Sequence, residues 1–589
     1  MNPPLPRSLV AVLLIGVTAP WSSFAHPNHA IAPFPPSPLR SVAARPAAAT
    51  AALKADARLS VEITDAKTRA PTAARVRITD PNGKPLGLPI SAAIPVNDET
   101  RLAAPGSVVG LPAEAIGVMY GQNDAAQGFA FQPDGSFYVK GRFELPMPAG
   151  RFFLTISKGY EFARDQQELV FKPGDHLTRS VALRRWVDMP ARGWYSADDH
   201  IHLRRSPREN PLILDWIAAE DVHVGVLLQM GDFWTTYFSQ YGFGRRGRFA
   251  HDDFLLTSGQ EEPRTAELGH TISLGAESFV RLRDDYYAYD KFFDRIHALG
   301  GVSGYAHQAM SFHGYRGMTL DVLGGKIDFL ELLQFCVPEG PLAVEHYYRF
   351  LDLGYKVTAL AGSDFPWCGR GRHPGEEQVG AQIGNARFYT YTGNPFSFER
   401  WLAAVKAGNT FVTSGPMLEL KVNGQLPGSA IDIAPGTKLR ISASAHGHAT
   451  QIPLQRLQIV AHGKVIAEAQ AKPGATSAEL TLDHELAPVH GLWIAARVDA
   501  GPSQLAHTTP VYVTVNRDGF HNRDNLAAQV AVARRHLDEI RALLNQPAPN
   551  EPASPRAIPG PLSYRGGKAW LEQRIATAER SLDELSRRR

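Results

Sequence analysis

Two histidines separated by a single residue, His200 and His202, close a segment that reads GWYSADDHIH over residues 193–202. In an extended strand, residues two apart point to the same face, so both imidazoles can bind one metal ion. Such a pair also arises by chance in a chain with 21 histidines. It indicates a metal site only if the fold brings further ligands to the same place. A metal site at this pair therefore requires further histidines or carboxylates at the ends of later strands.

The composition of the chain excludes some classes of protein and some kinds of metal site. The chain has 589 residues, which is enough for several domains. Its net charge is +3, from 61 basic and 58 acidic residues, so it lacks the charge excess typical of nucleic-acid-binding proteins. Cys336 and Cys368 are the only cysteines. A disulfide framework and a cysteine-rich zinc site are therefore excluded, and any metal must be held by histidines and carboxylates.

The N-terminus predicts export. Residues 1–25 read as a signal peptide, with Arg7 before a short apolar run and small residues at Ser23 and Ala25. The apolar run is too short to span a bilayer, although an uncleaved anchor is the alternative. Residues 26–55 are rich in Ala and Pro and predict a linker. We expect a periplasmic or secreted protein with no stable membrane span.

Four regions follow the linker. Residues 56–185 alternate polar and apolar positions and predict a β-sandwich. The stretches RVRITDPNGKPLG and GRFELPMPAGRFFLTISKGYEF resemble carboxypeptidase-regulatory-like domains. Residues 186–416 alternate strand-like with helix-like runs, which predicts a parallel α/β sheet or barrel. Residues 417–516 predict a second β-sandwich. Residues 517–589 carry heptad-spaced apolar positions and predict a helical hairpin that packs on a domain or forms a homo-oligomer.

Further candidate ligands follow apolar runs in the α/β region, where strands are predicted to end. They are Glu261, His270, His307 and Asp364. Each has an ordinary alternative, since a histidine can be a simple polar residue and an aspartate can cap a turn. Residue type and placement nevertheless repeat together. Strand ends on one face of a β/α barrel are where active sites form.

These motifs resemble those of the PHP (polymerase and histidinol phosphatase) metallohydrolase superfamily. The motifs are GWYSADDHIH, SGQE followed by GH, GYAH and AGSDFPW. Residues 401–424, WLAAVKAGNTFVTSGPMLELKVNG, are similar to the carbaryl-hydrolase-like branch. The resemblance covers about residues 194–424. It implies a distorted (β/α)7 barrel, here flanked by two β-sandwiches and followed by the C-terminal helices.

The resemblance also implies a ligand set for divalent metal ions, with Zn, Mn or Fe equally suited to it. One metal would be held by His200, His202, Glu261 and Asp364. Glu261 would bridge to a second metal held by His270 and His307, and Glu261 and Asp364 are the implied catalytic residues. Glu262 is adjacent, but the Gly-x-Glu spacing favours Glu261. The chain lacks the family's further ligands at residues 228–232 and 364–366, which favours two metals, or one, over three.

The implied function is a metal-dependent hydrolase. A metal-bound hydroxide would cleave a phosphoester, or a carboxyl or carbamate ester, of a small-molecule substrate. Arg264 and Arg387 lie near the motifs and are candidates for binding an anionic part of the substrate. The alternative is a non-catalytic carbohydrate- or surface-binding protein whose barrel site has decayed.

The signal peptide gives a first testable prediction. We expect the exported protein to begin near His26, because Ser23-Phe24-Ala25 offers small residues at the cleavage positions. N-terminal sequencing of the exported protein measures this directly. Recovery of a chain that still begins with Met1 would contradict it.

Overall fold

The computed structural model describes residues 56–86, 136–203, 205–231, 236–265, 267–283, 285–308, 314–334, 344–365, 382–472, 478–501, 503–545 and 567–587. The predicted signal peptide, the predicted linker and both cysteines lie outside these residues. Among the described helices, none is both long enough and apolar enough to cross a membrane.

The N-terminal region forms two small sheets around one core. Its strands are β1 (Ala57–Asp65), β2 (Ala73–Thr79), β3 (Phe137–Lys140), β4 (Arg142–Met147), β5 (Gly150–Ser157), β6 (Asp165–Phe171) and β7 (His176–Leu183). One sheet has the order β4-β1-β7 and the other β3-β2-β5-β6. Alternation decides which side chains enter the core: in β4, Phe143, Leu145 and Met147 are buried while their neighbours are exposed.

The central region is built around β8. Its strands are β8 (Trp194–Ile201), β9 (Val224–Gly231), β10 (Thr236–Tyr237), β11 (Phe249–His251), β12 (Phe254–Thr265), β13 (Gly269–Leu274), β14 (Val302–Tyr305), β15 (Phe329–Gln334), β16 (Thr358–Gly362), β17 (Arg387–Tyr391) and β18 (Thr410–Thr413). Its helices are α1 (Asn210–Ala219), α2 (Tyr289–Ala298), α3 (Gly314–Leu323), α4 (Glu345–Asp352) and α5 (Phe398–Ala407). Every residue of β8 and β9 is buried, as expected for strands covered on both faces.

The predicted distorted (β/α)7 barrel is wrong. Of the residues that the structure describes, 42% lie in strands and 24% in helices, and the large sheet is a curled half-barrel. The pairings β8–β9–β12 and β14–β15–β16 are parallel, but β13 pairs antiparallel with both β12 and β14. Antiparallel neighbours such as β12 and β13 need no crossover helix. The parallel strands β9 and β12 are joined, among the described residues, through the short strands β10 and β11 and not through an α-helix. Some of the apolar runs that predicted strands alternating with helices therefore belong to antiparallel pairs of strands.

The large sheet continues into the next region. The strands there are β19 (Met417–Val422), β20 (Ala430–Ile433), β21 (Leu439–His446), β22 (Arg456–Ala461), β23 (Lys464–Gln470), β24 (Glu479–Leu486), β25 (Leu492–Asp499), β26 (Leu505–Thr508) and β27 (Val511–Val515). Strands β19, β21 and β24 form a separate sheet. Strand β26 pairs with β18, so the central sheet extends across the predicted boundary at residue 417.

The C-terminal helices, α6 (Leu526–Leu544) and α7 (Gly567–Arg587), lie antiparallel. Ion pairs link them, with Arg541 Nη2 at 2.8 Å from Glu579 Oε1. Their apolar residues belong to the same buried core as the central sheet. Arg574 of α7 also contacts Asp321 of α3, with 2.7 Å between Nη2 and Oδ1. The heptad seams are thus covered within the chain, and a homo-oligomer through these helices stays a prediction.

A buried ionic cluster joins the N-terminal sandwich to the central sheet. Arg185 donates two hydrogen bonds of 2.8 Å to Asp221 and one of 2.5 Å to Glu161. The hydroxyl of Tyr389 also donates to Glu161, at 2.9 Å. Burial raises the pKa of Glu161 to about 7 although Arg185 lowers it. Burial also raises the pKa of Asp221, but Arg185, followed by other nearby cations, lowers it to a net value of about 2. One guanidinium therefore compensates two buried acids.

This cluster gives a stability prediction. Arg185→Met should lower the free energy of unfolding by about 3–5 kcal/mol, because it leaves buried carboxylates uncompensated. Arg142→Met is the control, since its ion pair with Glu144 is largely exposed and screened by solvent, so its loss should change the free energy of unfolding far less. Urea denaturation of both variants measures the difference. Equal losses in the two variants would contradict the role given to Arg185.

Candidate metal centre

The end of β8 and the end of β16 lie side by side. His200 lies near the end of β8 and His202 directly follows the strand, and the amide of His202 donates to the carbonyl of Phe365 at 2.7 Å. Phe365 also forms an isolated parallel bridge with Ile201. These backbone contacts hold the segment after β16 in register with β8. Asp364 is thereby placed beside the histidine pair.

His200, His202 and Asp364 form the first group of candidate ligands. The Nε2 atoms of His200 and His202 are 3.1 Å apart, and each is 3.2 Å from Asp364 Oδ1. All three residues are buried. Two imidazole nitrogens and a carboxylate oxygen thus converge on one point, and this group can hold a metal ion.

Glu261 links this group to a second one. Its Oε2 is 3.3 Å from His202 Nε2 and 3.9 Å from His200 Nε2. Its Oε1 is 2.9 Å from His270 Nδ1 and 3.5 Å from His307 Nε2. The two oxygens of one carboxylate therefore face two different pairs of histidines. His200, Glu261 and His307 form the second group that can hold a metal ion.

The backbone of β12 directs Glu261, and not Glu262, toward the histidines. A register shift lies between Glu261 and Arg264 in the pairing of β12 with β13. Glu262 instead forms an ion pair with Arg281, with 2.6 Å between Arg281 Nη2 and Glu262 Oε2. Adjacent acids in one strand therefore have different partners. Glu262 is engaged in a buried structural contact, while Glu261 lies in the cluster.

Left-handed backbone conformations occur at this site. His307 has φ 53°, Asp364 has φ 55° and Phe238 has φ 52°. Such angles are uncommon for residues with side chains and are held only where the surrounding structure fixes them. Two of the three residues are candidate ligands, and the ring centroid of Phe238 is 5.2 Å from that of His202. The cluster is therefore held by a specific backbone geometry.

The electrostatics of the cluster favour a positive charge at its centre. Burial lowers the pKa of His200, but Asp364, Glu331 and Glu261 raise it to a net position well above its usual value. Burial likewise lowers the pKa of His307, and Glu261 and Asp364 bring it above its usual value. The same carboxylates that favour a proton on these imidazoles favour a divalent cation between them. The donor set thus fits a metal ion in chemistry as well as in geometry.

Glu331 in β15 is a functional candidate that sequence analysis missed. Its Oε1 is 2.9 Å from Nδ1 of His200, and its Oε2 accepts the amide hydrogen of His307 at 2.8 Å. Metal-binding histidines commonly use such a carboxylate to fix the ring and its tautomer. A signal was present, because Glu331 is the one charged residue in the apolar strand FLELLQ. Its partner His200, however, is 131 positions away.

The two arginines predicted to bind substrate lie in different surroundings. Arg264 is buried at the cluster, with its Nε 3.6 Å from Glu261 Oε1. Arg387 is also buried, but its Nε donates to the carbonyl of Gly384 at 2.6 Å and its guanidinium lies over the ring of Tyr160. The structure therefore brings Arg264, and not Arg387, to the candidate ligands.

Comparison of the chain with protein-family models, curated proteins and solved structures found no match. The resemblance to the PHP superfamily stays a prediction, and the chemistry of the centre is inferred from its own residues.

Glu331→Gln should weaken metal binding by about 10–100-fold, the usual effect of losing the partner that orients a ligand. The glutamine side chain is uncharged and has a single acceptor oxygen. It therefore cannot replace both carboxylate oxygens of Glu331, one of which contacts His200 while the other accepts the backbone amide hydrogen of His307. Competition with a chromogenic chelator measures the affinity.

Asp328→Asn is a matched control in the same segment. Asp328 also contacts a histidine, His297, and accepts a backbone amide hydrogen from Ser303, both at 2.8 Å, but at the other end of β15. Its replacement should leave metal affinity unchanged. Equal effects of the two substitutions would show that Glu331 supports only the fold.

Proposed function

We propose that this protein is an exported metal-dependent hydrolase that cleaves ester bonds of small molecules. The observation that carries the proposal is the position of Glu261, whose two oxygens face two pairs of buried histidines. A carboxylate in that position is suited to bridging two metal ions. The residues proposed to hold the metals are His200, His202 and Asp364 on one side, and His270 and His307 on the other, with Glu261 shared between them.

The donor set indicates the class of metal. Imidazole nitrogens and carboxylate oxygens suit Zn, Mn or Fe, and the described centre contains no thiolate. A divalent ion held there would lower the pKa of a bound water and polarise the substrate oxygen, which is the chemistry that ester hydrolysis requires.

The chain's own residues then orient the groups and manage the proton. Glu331 fixes the His200 ring through Nδ1, which leaves Nε2 directed at Asp364 and His202. The Oδ1 atom of Asp364 lies against those two histidines, and its Oδ2 is 3.9 Å from His307 Nδ1. We assign Asp364 Oδ2 the role of accepting the proton released as the nucleophile forms. The surrounding burial limits competing access of bulk water.

The phosphoester and the carboxyl or carbamate ester both suit this centre. A screen of aryl phosphates beside aryl esters, with elemental analysis of the same preparation, tests the proposal. The alternative of a non-catalytic binding protein with a decayed site predicts neither bound metal nor turnover of any of these substrates.

Glu261→Gln should lower the metal content below that of the wild type and reduce turnover by orders of magnitude. It preserves side-chain volume but removes the charge shared by the two proposed metal positions. His307→Ala should weaken the second position and spare the first, because His307 is absent from the group of His200, His202 and Asp364. Metal content per chain and hydrolysis rate are measured together.

Glu262→Gln is the adjacent control. Loss of its ion pair with Arg281 should lower stability, yet the folded variant should keep its metal. Loss of metal in Glu262→Gln, with full retention in Glu261→Gln, would show that the bridging carboxylate is Glu262 and not Glu261. Full metal content and activity in all three variants would exclude the proposed dinuclear centre.

A further inference from the structure

Arg264 is a buried cation whose hydrogen-bonding capacity is unused within the described part of the chain. Its relative exposure is 2%, and none of its three guanidinium nitrogens has a hydrogen-bond partner among the described residues. Its ion-pair contact with Glu261, at 3.6 Å from Nε to Oε1, is longer than a hydrogen bond. A guanidinium stays charged and carries five N–H donors, so burying it without acceptors is unfavourable.

The other buried arginines of the described chain differ in this respect. Arg205 donates to the hydroxyl of Ser258 at 2.8 Å, Arg349 contacts Glu345 at 2.9 Å, and Arg387 donates to a carbonyl. Each is satisfied at least in part by the protein itself. The unused donors of Arg264 therefore point to an acceptor other than the described residues, and a bound anion would supply it.

The placement of Arg264 shows where that acceptor lies. Arg264 is directly opposite His270 in the pairing of β12 with β13, and opposite residues in a ladder project to the same face. Its Nε contacts the same oxygen of Glu261 that His270 and His307 approach. The donors are therefore next to the second group of candidate ligands.

We infer that Arg264 binds an oxyanion of the substrate beside Glu261, and so selects substrates that carry a negatively charged oxygen at or next to the scissile bond. The planar guanidinium offers parallel N–H donors that match two oxygens of a phosphoryl or carboxylate group. Metal cations at the centre would attract the same group. This assignment rests on the proposed function for the role of the ligand as substrate, while binding of the anion itself can be measured separately.

A structural role for Arg264 has a different signature. If Arg264 only balanced the charge of Glu261, its replacement would alter stability or metal content and leave anion affinity unchanged at equal metal content. Lysine keeps the charge but offers no planar pair of donors. Arg264→Lys therefore separates charge balance from recognition of an oxyanion.

The test is calorimetric titration of the full chain with inorganic phosphate, and in parallel with acetate, with metal content measured on each sample. We expect the wild type to bind phosphate or acetate, and the tighter of the two identifies the phosphoryl or the carboxylate class. Arg264→Lys should weaken that binding by about 10-fold and Arg264→Gln by about 100-fold, the loss expected for charge-assisted hydrogen bonds. Arg142→Met removes an exposed positive charge far along the chain and should leave the affinity unchanged.

The inference is overturned if neither anion binds, or if Arg264→Lys and Arg264→Gln bind as tightly as the wild type. A wild type that binds an anion through Arg264 but holds no metal would refute the proposed function and leave the anion site standing. A wild type that holds metal, and whose anion affinity does not change when Arg264 is replaced, would refute the anion site and leave the proposed function standing.

Discussion

Burial of the Glu261 and Asp364 carboxylates is the constraint on which the centre depends. Taking two negative charges out of water is strongly unfavourable unless positive charge and hydrogen-bond donors surround them. The chain supplies histidines at the neighbouring strand ends, and the carboxylates around His200 and His307 outweigh burial and raise the pKa of both side chains, so they favour a cation there. A bound metal ion would meet this demand in place of the proton. The strand ends that carry the histidines thus lie beside the two buried carboxylates, where positive charge is needed.

The surrounding structure holds the strands that carry these groups. Strand β8 is fixed between β9 and β17, which places His200 within the sheet. A chain of contacts from the C-terminal helices reaches β14, because Asp321 accepts from Arg574 at 2.7 Å and from the hydroxyl of Tyr305 at 2.6 Å. His307 follows Tyr305 by two residues. The C-terminal helices are thus linked by side-chain contacts to the strand that precedes His307. They are close to the candidate centre in the fold although they are distant from its motifs in sequence.

Local features of the centre could be predicted from the sequence, while features that depend on long-range pairing could not. The one-residue spacing of His200 and His202 places both on one face, and the Gly-x-Glu spacing indicates Glu261 instead of Glu262. The fold class could not be predicted, because a short apolar run in an antiparallel hairpin reads like one in a parallel strand. Nor could the contact of Glu331 with His200, or the different surroundings of Arg264 and Arg387, since both depend on residues distant in the chain.

The most direct test of a metal centre shared by Glu261 is anomalous diffraction from crystals of the metal-loaded protein, collected at the absorption edge of the bound metal. We predict a peak about 2.0–2.2 Å from the Nε2 atoms of His200 and His202, with Glu261 coordinating it and a second peak on the side of His270 and His307. Absence of any peak among these residues, or occupancy only elsewhere in the molecule, would contradict the account.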